Sequence, residues 1–157
     1  MRTELTRPYR VLLFDSVEHY DELINALTAA LAREPRNAIA IGNRGLAYCE
    51  VGRVTDALED FGAAIVIDPS LTDVLMNRAD LLKRLSRHEE ALRDYGAAID
   101  LEPSNPCCRR SRAHVLHELG RFEEACLDYD VAINMEPDFV RTREDRERAC
   151  ARQLLSG

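Results

Sequence analysis

The sequence predicts an all-α fold built from stacked antiparallel helix pairs. Two observations predict it: self-similarity at a step of 34 residues, and apolar spacing of helical period inside each step. Pro35, Pro69, Pro103 and Pro137 mark the step. Ala57, Ala91 and Ala125 recur at it, as do Phe61, Tyr95 and Tyr129, then Ala64, Ala98 and Ala132, then Ile65, Ile99 and Ile133. Upstream, Gly45 maps onto Ala79 and Ala113, and Tyr48 onto Leu82 and Leu116.

Each step reads as two helices. The first carries Ile41, Gly45 and Tyr48 at helical spacing, and Gly52-Arg53, Ser86-Arg87 and Gly120-Arg121 mark the turn that follows. Ala57, Phe61, Ala64 and Ile65 place one apolar stripe on the second helix. That helix stops before Asp68-Pro69, because the proline ring disfavours helical geometry at the residue before it. The next first helix restarts at a cap, Ser70 or Thr72, and one step later at Asn105 with Pro106 in the first helical position. Small residues at fixed places let helices approach closely, and the aromatic fills the gap opposite.

This pattern resembles the tetratricopeptide repeat, with its small residue and aromatic on the first helix, its alanine, aromatic and alanine on the second, and its closing proline. The resemblance implies a right-handed α-solenoid of antiparallel helix pairs. It places full repeats at 38–71, 72–105 and 106–139. Residues 17–37 read as the second helix of a degenerate copy, through Leu23, Leu27, Ala30, Leu31 and Pro35. Residues 1–16 are an irregular segment or a degenerate helix, because Pro8 and the undivided run Val11-Leu12-Leu13-Phe14 break the pattern. Residues 140–157 read as a C-terminal capping helix with a charged centre, giving the last apolar face a polar exterior.

Arg44, Arg78 and Arg112 recur at the same step, and so do Asp60, Asp94 and Asp128. The arginines could form a ladder for an acidic ligand, or pair with the aspartates. Co-recurrence of both signs favours pairing. Asn43 and Asn77 also recur, with Ser111 at the third place. In superhelical members of the family, asparagines there bind the backbone of an extended peptide. A carboxamide suits that task because it both donates and accepts. Carried over position by position, the concave face includes Ile39, Gly42, Asn43, Leu46, Cys49 and Glu50, then Asp73, Met76, Asn77, Asp80, Lys83 and Arg84. Its last part is Cys107, Arg110, Ser111, His114, His117 and Glu118. Apolar character gathers at Ile39 and Leu46, and basic or histidine character at the other end.

The two-carboxylate clamp of some relatives fails here. Its places hold Gly42, Leu46, Asn77, Cys107 and Ser111, one match in five, which argues against a chaperone C-terminus as ligand. His114 and His117 share a helix face, yet no cysteine or carboxylate stands at the spacing of a metal motif, so no metal is expected. No phosphate loop, nucleophile elbow or HExxH is present, so neither catalysis nor a cofactor is expected.

Composition bounds the rest. The chain has 157 residues, of which 46% are apolar and 31% charged, a globular balance. A net charge of −7 argues against a sequence-independent nucleic-acid binder. No apolar run reaches membrane length, and the N-terminus lacks the core of a secretory signal, so a cytoplasmic location is expected. The five cysteines, odd in number and without a C-x-x-C pair, read as free thiols. Lys83 is the only lysine, which reads as the codon bias of a GC-rich bacterial genome. The expected function is non-enzymatic: a groove that binds a peptide of a partner protein, or a scaffold that associates with a second copy of itself.

Overall fold

The computed structural model describes residues 17–138 and 140–156. The described residues are all helical, in antiparallel pairs: α1 (Val17–Leu31), α2 (Ala38–Glu50), α3 (Val54–Ile67), α4 (Thr72–Arg84), α5 (His88–Leu101), α6 (Pro106–Glu118), α7 (Phe122–Met135) and α8 (Val140–Ser156). The expectation for residues 1–16 lies outside the described residues.

Local chemistry sets the helix ends. The Asn37 side chain caps α2 by accepting from the Ala40 amide at 3.0 Å, and Asn105 caps α6 by accepting from the Cys107 amide at 3.0 Å. Pro106 follows in the first turn, where its missing N–H costs nothing. The turns after α2, α4 and α6 pass through left-handed backbone at Gly52 (φ 77°), Ser86 (φ 58°) and Gly120 (φ 74°). Glycine adopts that conformation freely, whereas Ser86 carries a steric cost there.

The chain forms two compact units, Met1–Val74 and Leu75–Gly157. In the first, α2 packs on both α1 and α3. Its core holds Ile24 from α1, Ile41 and Ala47 from α2, and Ala57, Phe61 and Ala64 from α3. Gly45 is small for a reason: a Cβ there would stand 2.9 Å from the Phe61 ring, which is fully buried. A Cβ at Gly42 would meet a Val74 methyl at 2.7 Å.

In the second unit, α6 packs on α5 and α7, and α8 packs on α7. Ala79, Tyr95, Ala113, Val115, Tyr129 and Ala149 are among its deeply buried residues. Among the described α8 side chains the buried ones are Thr142, Asp145 and Ala149, in step with Cys108 and Val115, which lie 34 residues before Thr142 and Ala149 and are also buried. Glu147 stands where Gly45, Ala79 and Ala113 face an aromatic, and it is exposed. Helix α8 thus keeps the register of a first helix and turns its polar side outward.

The structure corrects the expectation of five free thiols. Cys126 on α7 and Cys150 on α8 are joined in a disulfide with their Cα atoms 6.1 Å apart, while Cys49, Cys107 and Cys108 are not disulfide-bonded. The facing of two helices brings this pair together, and no spacing motif announces it.

Candidate functional site

The recurrent charges pair internally. Arg44 donates from two guanidinium nitrogens to both carboxylate oxygens of Asp60, at 2.7 and 2.8 Å. Arg78 does the same to Asp94 at 2.7 and 2.6 Å, and Arg112 to Asp128 at 2.6 and 2.7 Å. Each fork joins the first helix of a pair to the second. The aspartates are buried and the arginines partly so. The hydrogen bond to its aspartate holds each of these guanidinium groups above the ordinary arginine range, against the opposing effect of burial. The series extends one step beyond the three arginines read from the sequence. Arg146 on α8 turns back to Asp130 on α7, at 2.8 Å.

The remaining inner-face positions differ in what they leave free. On α2, Ile39 is 63% exposed, Asn43 is exposed and Leu46 is half-buried. On α4, Asp73 and Arg84 are exposed and Asn77 is half-buried. Met76 departs from the expectation of a groove-facing side chain, being only 5% exposed. Val74, Leu75 and Met76 are buried in succession, so this end of α4 is enclosed over more than one face.

Three positions read as ligand contacts, Asp80, Ser111 and His114, are occupied from within. Asp80 accepts from the Tyr95 hydroxyl at 2.6 Å and from Lys83 at 3.1 Å. The Ser111 hydroxyl reaches the same phenol. Burial, followed by the Asp80 charge, pushes the Tyr95 phenol far above its usual range. One step on, the same register holds His114, Tyr129 and Asp145. His114 Nδ1 lies 3.1 Å from the Tyr129 hydroxyl, and Nε2 lies 3.4 Å from Asp145 Oδ2. Burial likewise raises the Tyr129 phenol, helped by Asp145 and Glu118. Asp145 was not foreseen, although it continues the series Asn43, Asn77, Ser111. Arg110 sits beside Cys107, with a nitrogen 3.6 Å from the sulfur, and His117 packs its ring against Phe122 at 5.4 Å between centroids.

Burial lowers the His114 pKa below the usual 6.5; Asp145 opposes this, while Lys83, Arg110 and Arg141 reinforce it. The unfolded chain therefore binds more protons than the folded one as pH falls through 6.5. Stability is expected to decline from neutral pH downward and to stop declining below the folded value. Urea midpoints across this range should slope for the wild type and less steeply for His114→Gln. Identical slopes would remove His114 as the cause.

A concavity of about 390 Å³ lies among α5, α6 and α7, lined by Leu92, Leu116 and Leu127 with Arg112 and Asp128. No group of three or more metal-ligating side chains gathers among the described residues. No helix among them is long and apolar enough to cross a membrane.

Comparison with known proteins places this geometry. The chain resembles the solved structure of MamA protein, with a TM-score of 0.82 at 20% identity over 88% of this chain and 75% of that one. It resembles the first tetratricopeptide repeat domain of Spaghetti (RPAP3), solved bound to the HSP90 peptide SRMEEVD, with a TM-score of 0.70 at 23% identity over 76% and 94%. A tetratricopeptide repeat protein from Parabacteroides merdae gives a TM-score of 0.77 at 23% identity over 87% and 60%. No curated protein sequence matches the chain significantly. The tetratricopeptide repeat family profile matches residues 11–71 and 76–138, and the chain belongs to that family.

Proposed function

We propose that the chain, read as full repeats at 38–71, 72–105 and 106–139, is a non-enzymatic module that binds a peptide segment of a partner protein along its first helices. Tetratricopeptide repeats are generally protein–protein interaction modules. One observation carries the finer reading. The amides of Asn43 and Asn77 are left exposed or half-exposed, whereas the recurrent arginines and the later ladder positions are engaged internally. An amide in that state can give and take a hydrogen bond with any peptide group, and Ile39 and Leu46 supply apolar surface beside Asn43.

The RPAP3 domain is solved with the HSP90 peptide SRMEEVD. The clamp places of this chain do not suit such a ligand, since Gly42, Leu46, Cys107 and Ser111 offer no cation. The peptide proposed here is held by its backbone, with the exposed Arg84 favouring an acidic flank. Affinity is expected near micromolar, about −8 kcal/mol.

The test is capture from a peptide library by wild type, Asn43→Ala, Asn77→Ala and the double variant, with mass followed by light scattering. Peptides retained by the wild type and lost stepwise in the variants support the reading. Unchanged capture sinks it, and a stable oligomer that captures nothing transfers the weight to a self-associating scaffold.

A further inference from the structure

The disulfide joins α8 to α7 in a stretch of α8 with few buried apolar side chains between Arg141 and Arg152. Among α8 side chains from Arg141 to Arg152, Ala149 is the one fully buried apolar residue, and the other buried positions are Thr142 and Asp145. Polar contacts add the Arg146–Asp130 pair, which is part-exposed, and the approach of Asp145 to His114. Apolar burial scales with the area removed from water, and an alanine contributes little of it. Cys126 and Cys150 lie in and against the cluster formed by Leu116, Tyr129 and Ala149. The bond closes a stretch of 24 residues and is the strongest link between α8 and α7.

The two sulfurs differ in access. Cys126 is 8% exposed and Cys150 is half-buried. A thiolate arriving from solvent meets Cys150 first, and exchange rates depend on such access.

We propose that the Cys126–Cys150 bond is a reversible redox site, opened by a dithiol reductant, which governs whether α8 stays docked on α7. The thiolate of the dithiol attacks Cys150 Sγ, the protein S–S bond breaks, and Cys126 leaves as a thiolate that takes up a proton. The second thiol of the reductant then displaces Cys150, which is also released as a thiol. Two electrons pass to the protein, and the reductant departs as its own disulfide. With the bond open, the described side chains that still hold α8 are the buried Thr142, Asp145 and Ala149 and the part-exposed Arg146–Asp130 pair. It separates from α7 and uncovers the apolar surface around Leu116 and Tyr129.

The experiment uses the full chain, oxidised with glutathione disulfide and then reduced with dithiothreitol, with thiols counted by alkylation in denaturant and mass. Three tags are expected in the oxidised chain, on Cys49, Cys107 and Cys108, and five after reduction. Hydrogen exchange over 140–156 should then accelerate by about tenfold or more, while α5 stays protected. Cys150→Ala and Cys150→Ser should exchange fast under both conditions and ignore the reductant. Five tags after oxidation, a bond that survives dithiothreitol, or equal exchange of α8 in the two states would each overturn the proposal.

Discussion

Replacing Asp94 with alanine is expected to lower the unfolding free energy by about 2–3 kcal/mol. Asp94 is buried and accepts both bonds of the Arg78 fork, at 2.7 and 2.6 Å. Its removal strands a guanidinium on α4 that is already partly withdrawn from water, its side chain being 27% exposed. That residual exposure keeps the cost below the value for a fully buried pair, because water can reach part of the stranded charge. Asp94→Asn keeps one acceptor and loses the balancing charge, so it should fall between wild type and alanine. Glu90 supplies the control: it also takes a two-pronged bond, from Arg87, but lies on the surface, and Glu90→Ala should leave the urea midpoint in place. Equal midpoints for Asp94→Ala and Glu90→Ala would mean that the recurrent forks do not hold the helix pairs together.

Most of the fold is legible in the sequence because one physical solution is written several times. A stripe such as Ala57, Phe61 and Ala64 is ambiguous alone and unambiguous once Ala91, Tyr95 and Ala98 repeat it. The turn after each first helix is equally readable, since the three positions that need left-handed backbone hold glycine, serine and glycine. The Arg–Asp forks follow from co-recurrence of opposite charges. What stayed hidden depends on neighbours outside a single copy. The helix at α8 is readable, but the exposed Glu147 disguises its repeat register, although Asp145 and Arg146 keep it. Cys126 and Cys150 belong to different copies and different positions in them, so periodicity has nothing to say about their meeting. The inner-face positions proved least legible. Exposure there depends on what the facing side chain offers, and tyrosine hydroxyls engage Asp80 and His114, which otherwise read as ligand contacts.

Tyr95→Ala is expected to be the most damaging of these substitutions, at about 3–5 kcal/mol, because it empties a fully buried aromatic site at the centre of its helix pair. Tyr95→Phe keeps the ring and loses the bond to Asp80, and should cost about 1 kcal/mol. The chain itself indicates how to restore that loss. In the first full copy the matching positions hold Phe61 and Leu46, an aromatic without a hydroxyl and an aliphatic in place of the carboxylate. Phe61 is as deeply buried as Tyr95, so the fold accepts either chemistry provided the two positions agree. Combining Tyr95→Phe with Asp80→Leu should therefore cost less than the sum of the single changes, by about 0.5 kcal/mol or more in a double-mutant cycle. Additive costs would show that phenol and carboxylate do not act as a pair. The same exchange should fail at Tyr129. There the partner is His114, whose second nitrogen faces Asp145 on α8, and an aliphatic at 114 would leave that buried carboxylate facing an apolar side chain.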